Sequence, residues 1–192
     1  MKFFYLLGCL LYFSSSIFAQ TNNFSNTERN PAADFDGDGK SDISVFRPSN
    51  GFWYVMKSSG GFSFVQWGLR NDTLVPGDYD CDGKTDFAVY RTGTVQNLPG
   101  VFDNYWYILK SSDNALLVRQ LGTSALTGFG QAASADYDGD GKTDLAVYTR
   151  SDALPSPSFF IILQSASDSR ASKQWGTNLD RTVPAYYDGD GK

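Results

Sequence analysis

Residues 33–47 read ADFDGDGKSDISVFR, and the first ten of them set Asp34, Asp36, Asp38 and Asp42 within nine positions. Four bare carboxylates so close repel one another and work against folding unless a cation is held among them. The cluster recurs. GDYDCDGKTD places Asp78, Asp80, Asp82 and Asp86 at the same offsets, and ADYDGDGKTD does so with Asp136, Asp138, Asp140 and Asp144. A fourth copy, YYDGDGK from Tyr186, carries Asp188 and Asp190 and stops at Lys192. Fourteen of the twenty aspartates lie in these stretches.

Counted from the first Asp, positions 1, 3, 5 and 9 are carboxylates and position 6 is Gly39, Gly83 or Gly141, which permits the sharp turn that wraps a chain around an ion. Position 7 is Lys40, Lys84 or Lys142, which suits a ligand only through its backbone carbonyl, with the side chain turned away. An all-oxygen donor set on a flexible loop favours calcium, about three ions in all, over magnesium or a transition metal. An EF-hand would need Glu at position 12 and flanking helices, whereas position 12 here is Val45, Val89 or Val147 in strand-like sequence. Cys81 replaces Gly at position 4 without disturbing a ligand offset, and reads as neither catalytic nor a ligand. Tyr186 at position 1 makes the fourth site, through Asp188 and Asp190, a partial one.

Outward from the acidic stretch the whole unit repeats, with starts at 34, 78, 136 and 186. Each stretch leads into a short alternating run (ISVFR, FAVYR, LAVYT), then an aromatic run (FWYVMKSS, YWYILKSS, FFIILQSA), then FVQWG, LVRQLG or SKQWG. A Val-Pro step, LVPGDYD or TVPAYYD, closes the unit, with a divergent version in QAASADYD. Short β-branched and aromatic runs bounded by Gly, Ser, Asn and Pro predict strands, four per unit and no helix. The second strand is apolar on both faces, so its sheet must lie between other sheets. That predicts an all-β chain of β-propeller blades, each of four antiparallel strands: three blades, about 31–68, 74–122 and 131–176, and the start of a fourth at 183–192. A ring needs at least about four blades, and the sequence is accordingly expected to be a fragment of a larger propeller.

The first nineteen residues, with Lys2, an apolar run from Phe3 to Phe13 and small residues up to Ala19, have the layout of a signal peptide, too short for a membrane span. A lipoprotein leader using LLGC is disfavoured because only five residues precede it. Export would therefore place the chain outside the cell or at its surface, with residues 20–30 a polar, flexible lead-in. Loss of the leader takes Cys9 and leaves Cys81 alone, so no internal disulfide is available. The net charge of −5 and the lack of a basic patch argue against nucleic acid. The absence of histidine excludes a Ser-His-Asp triad and His-ligated zinc.

The pattern of acidic stretch, alternating run, W-Y-[VI] and Q-W-G resembles the FG-GAP or VCBS-type repeats of bacterial secreted proteins, related to the propeller of integrin α subunits. The resemblance spans residues 31–192 and implies a calcium loop between the first and second strands of each blade, with the aspartates named above as ligands. It also implies a non-enzymatic module of adhesion that binds protein or glycan. The alternative is the propeller of a larger secreted carbohydrate-active enzyme such as a polysaccharide lyase, whose catalytic residues would lie elsewhere. Connections between strands 2 and 3 and between blades vary in length, whereas the acidic connection does not, and variable loops on a fixed scaffold are where binding concentrates. Phe102, Asp103, Asn104, Phe129 and Asp152 are therefore the expected rim residues. Trp53, Trp67, Trp106 and Trp175 recur at equivalent strand positions and read as blade core.

Overall fold

In the computed structural model the described residues are 33–94, 102–123, 130–149 and 156–184. They form eleven strands and no helix, and no helix among them is long and apolar enough to cross a membrane. Strands β1 (Ile43–Arg47), β2 (Phe52–Met56) and β3 (Phe62–Gln66) make a three-stranded antiparallel sheet. The second sheet runs β4 (Thr73–Leu74), β5 (Phe87–Thr94), β6 (Phe102–Leu109) and β7 (Leu116–Thr123) in chain order. The third repeats that order with β8 (Gln131–Ala132), β9 (Leu145–Tyr148), β10 (Pro157–Leu163) and β11 (Arg170–Thr177). These are three successive propeller-type blades, and each acidic hairpin joins the first and second strand positions. The first blade lacks its leading strand among the described residues, yet the Ala33 carbonyl still accepts from the Asp42 N–H (2.7 Å), the place of the Gly77–Asp86 and Ala135–Asp144 bridges in the other two.

The sheets pack face to face, as strands apolar on both sides require. Val89 (0 % exposed), Tyr90, Leu145, Val147 and Tyr148 are all buried, and one core unites Val75, Tyr90, Trp106, Ile108 and Leu121 of the second sheet with Leu145 and Val147 of the third. The first sheet departs from the expectation. Ile43 and Val45, which correspond to Phe87 and Val89, are 65 % and 59 % exposed, because no described sheet precedes theirs. Trp53 and Trp106 are core, as expected, and Trp67 is half-buried with its indole N–H donated to the Tyr107 carbonyl (3.1 Å). Trp175 is a correction: it is 73 % exposed on β11, the last strand of the last described sheet, with no described sheet following it.

Hydrogen bonds also tie blade to blade through the hairpins. The Thr85 N–H donates to the Asp34 carbonyl and the Thr143 N–H to the Asp78 carbonyl, each at 2.7 Å. The second contact needs Gly77, where a Cβ would lie 2.6 Å from Thr143 Oγ1 and 2.9 Å from Cγ2. Gly77→Ala is therefore expected to cost about 1–3 kcal/mol by overpacking, read as a lower denaturation midpoint with an unchanged slope. A midpoint within error of the parent would show that this seam yields freely.

The longest hairpin departs from the sequence reading as well. Pairing continues through Thr92↔Asn104, Gly93↔Asp103 and Thr94↔Phe102, so the connection is 95–101 and lies outside the described residues. Phe102, Asp103 and Asn104 are strand residues and not loop residues. Asn104 is 1 % exposed, which removes it from a solvent-facing rim. Asp103 accepts from Gln120 Nε2 of β7 (3.0 Å) next to an irregularity in the β6–β7 register. Phe129 and Asp152 lie outside the described residues, as do the leader, the lead-in, and Asp188 and Asp190.

Candidate metal centre

Each acidic hairpin folds around its first aspartate. Asp34 Oδ1 accepts from the N–H groups of Gly37 (2.7 Å) and Asp38 (3.3 Å), and Oδ2 from that of Gly39 (2.9 Å). Asp78 does the same with Cys81, Asp82 and Gly83, and Asp136 with Gly139 and Gly141. The turn requires a left-handed residue at position 6, supplied by Gly39, Gly83 and Gly141 (φ 81°, 83° and 88°). Cys81 adopts φ 64° at position 4, where the other hairpins have Gly37 and Gly139. It is a backbone misfit and takes no part in the carboxylate cluster.

Position 9 closes the loop and joins it to a second element. Asp42 accepts from the Phe35 N–H (2.9 Å) and the Ser58 N–H (2.8 Å), Asp86 from Tyr79 and Ser111, and Asp144 from Tyr137 and Ser165. The same serines donate their hydroxyls to position 5: Ser58 to Asp38 and Ser111 to Asp82, each at 2.7 Å, and Ser165 to Asp140 at 2.8 Å. Ser58, Ser111 and Ser165 open the turn between the last two strands of each blade. Both connections thus emerge at one end of the sheet, as the up-and-down strand order predicts. The sequence reading missed these serines; the recurring KSS, KSS and QSA after each aromatic run is the signal that carried them.

Position 3 lies within the cluster. One carboxylate oxygen from each of Asp34, Asp36 and Asp42 falls within 4.8 Å of the others, and the same holds for Asp78, Asp80 and Asp82 and for Asp136, Asp138 and Asp144. Three acidic clusters, one per blade, could therefore each hold a metal ion. The donors are all oxygen, and Asp36 Oδ1 and Asp80 Oδ1 are buried with no hydrogen-bond partner among the described residues. A buried, unpaired carboxylate oxygen is costly unless a cation or donor meets it, so the residues fit a hard divalent ion. The Lys40 and Lys84 side chains stay out of their own clusters. Lys40 is exposed with Nζ 3.7 Å from Asp38 Oδ2, and the stem of Lys84 lies over Gly37 of the preceding hairpin. Their amides donate to position 5, at 2.9 Å for Lys40 and Lys84 and 2.8 Å for Lys142.

Burial raises the Asp86 carboxyl to about 6, outweighing the lowering by the Ser111 and Tyr79 N–H groups, and raises Asp144 in the same direction for the same reason. Asp38 is lowered, first by the Ser58 hydroxyl. For Asp86 the folded value exceeds the unfolded one. Its contribution to stability in the metal-free chain is thus fully present below about pH 4 and is lost as pH rises through about 6. Carboxyl NMR in excess chelator should show Asp86 titrating near pH 6, and a midpoint below 4 would contradict the burial described here.

Outside the hairpins, Asp72 and Asp180, six residues before an acidic stretch, cap turns. Asp72 accepts from the Leu69 N–H (2.7 Å) and pairs bidentately with Arg91, and Asp180 accepts from the Thr177 N–H (2.8 Å). Residues 34–89 match the FG-GAP-like repeat and residues 129–152 the FG-GAP repeat. No curated protein and no solved structure is significantly similar to the chain.

Proposed function

From the premise that the chain is an FG-GAP-type repeat protein with propeller-like blades, we propose that it is a calcium-stabilised, exported, non-enzymatic binding module. The oxygens of Asp36 and Asp80 that are buried without a partner among the described residues carry the calcium reading, because each aspartate sits in an oxygen-only cluster built by one hairpin. Positions 1, 3, 5 and 9 and the position-7 carbonyl of Lys40, Lys84 or Lys142 would hold the ion. The ion would supply charge neutralisation and a cross-link between the hairpin and the neighbouring turn. Magnesium, with its short bonds and tight octahedron, suits such a loop less well.

The opposite end of the blades, with the length-varying connections 95–101, 124–129 and 150–155, is the partner surface, and a protein or glycan at a cell surface is the partner. A role without chemistry is supported by the tasks of four of the seven acids outside the hairpins: Asp72 and Asp180 cap turns, Asp103 accepts from Gln120, and Asp113 caps Ala115 and pairs with Lys110. Export follows from the leader-like first nineteen residues and from the extracellular setting in which such repeats occur.

Equilibrium dialysis of the full chain against equal Ca²⁺ and Mg²⁺, with metal analysis, should retain about three Ca²⁺ per chain, one for each complete hairpin. Retention of less than one would overturn the calcium reading. Replacing residues 95–101 by Asn-Gly, which makes a tight hairpin, should abolish binding on a glycan or protein array without changing the melt. Undiminished binding would remove the rim from the account.

A further inference from the structure

The three hairpins agree at position 9, and at position 5 in the serine hydroxyl and Lys amide each accepts; they part company at position 3, and in the third the position-5 N–H turns from Asp136 to Asp138. Asp36 Oδ2 accepts from Ser59 Oγ and Asp80 Oδ2 from Ser112 Oγ, each at 2.5 Å, and in both the other oxygen is buried without a partner among the described residues. In the third blade Ala166 occupies the equivalent position. There, among the described residues, Asp138 Oδ2 accepts from the Ala166 N–H at 3.3 Å and Oδ1 from the Asp140 N–H at 3.3 Å. Two hairpins thus hold their second carboxylate by one oxygen and leave the other without a hydrogen bond among the described residues, whereas the third holds it loosely by both.

We propose that Ser59 and Ser112 are positioning residues that pre-aim Asp36 and Asp80, and that the third hairpin, with Ala166 in their place, binds calcium more weakly than the first two. The proposal rests on the calcium reading above. A carboxylate fixed by a hydroxyl loses less rotamer freedom when it takes up a ligand. An oxygen that already accepts an N–H keeps one lone pair for an ion, whereas the free oxygens of Asp36 and Asp80 keep both. Loss of a partner that orients a ligand typically costs 10–100-fold in metal affinity. Lys110 lies 3.5 Å from Asp80 Oδ2, the oxygen Ser112 also holds, so it leaves Oδ1 free while its charge opposes a cation. Each hairpin is therefore best compared with its own unsubstituted form.

Ca²⁺ titrated calorimetrically into the metal-free full chain should resolve two tight sites and one at least ~10-fold weaker. Ser59→Ala should move one tight site into the weak class, and Ala166→Ser should tighten the weak site by ~10-fold. Ser59, Ser112 and Ala166 are all exposed, so the melt in chelator should not change, and the gain at Ala166→Ser is a result that general loosening cannot produce. Three indistinguishable sites, or an Ala166→Ser chain that binds like its parent, would overturn the proposal and leave calcium binding intact. No binding heat at any site would overturn the calcium reading and the proposal with it.

Discussion

Replacement of Trp106 by alanine should cost about 3–5 kcal/mol, the usual loss for a large aromatic removed from a packed core. The indole is fully buried on β6, stacked at a tilt on Tyr90 (4.7 Å between ring centroids), with its N–H donated to Ser134 Oγ (3.2 Å) on the segment that leads to the third hairpin. It therefore belongs to the core that the second and third blades share, with Ile108, Leu121, Leu145 and Val147. For a chain of this length about 2–4 °C accompanies each kcal/mol, so a fall of roughly 10 °C in Tm is expected. Trp175→Ala is the matched control: on the exposed face of β11 it should stay within about 0.5 kcal/mol of the parent. Equal losses for the two tryptophans would mean that blade-to-blade packing does not carry the fold.

Calcium should matter more than any single side chain. Each site adds RT ln(1 + [Ca²⁺]/Kd), about 2.7 kcal/mol when the free ion stands at 100 times Kd and about 1.4 at ten times, so two tight sites and one weaker add on the order of 7 kcal/mol. Moving the chain from millimolar Ca²⁺ into excess chelator should lower Tm by on the order of 20 °C. The effect should diminish as pH falls through about 6, where Asp86 takes up a proton that competes with the ion. Asp36→Asn should remove up to about two fifths of the shift, because it weakens one of the two tight hairpins. A melt that is the same in calcium and in chelator would exclude a structural role for the ion.

The hairpins and the strands around them were legible because their signals are local. The glycine at position 6, the spacing of the aspartates and the alternating run after each hairpin lie within a few residues of one another. The repeat then fixed the blade order. What escaped the reading depends on distant partners. Ser58 meets Asp42 across 16 residues and Ser112 meets Asp80 across 32, while a Ser-Ser pair after Lys reads by itself as an ordinary turn. Asp103 and Asn104 have loop-like composition and read as rim residues, but the facing strand decides pairing, and it extends the ladder to Thr94↔Phe102. Trp175, Ile43 and Val45 have core chemistry, and their exposure follows from which sheet lies beside them, a fact no stretch of eight residues contains.

Crystals of the full chain grown in millimolar Ca²⁺ test the central claim most directly. The account predicts one ion in each of the hairpins at 34–42, 78–86 and 136–144, with oxygen ligands at about 2.3–2.6 Å and the free oxygens of Asp36 and Asp80 among them. Hairpins that keep their aspartates bonded only to N–H groups and serine hydroxyls, with no ion among them at that concentration, would contradict it.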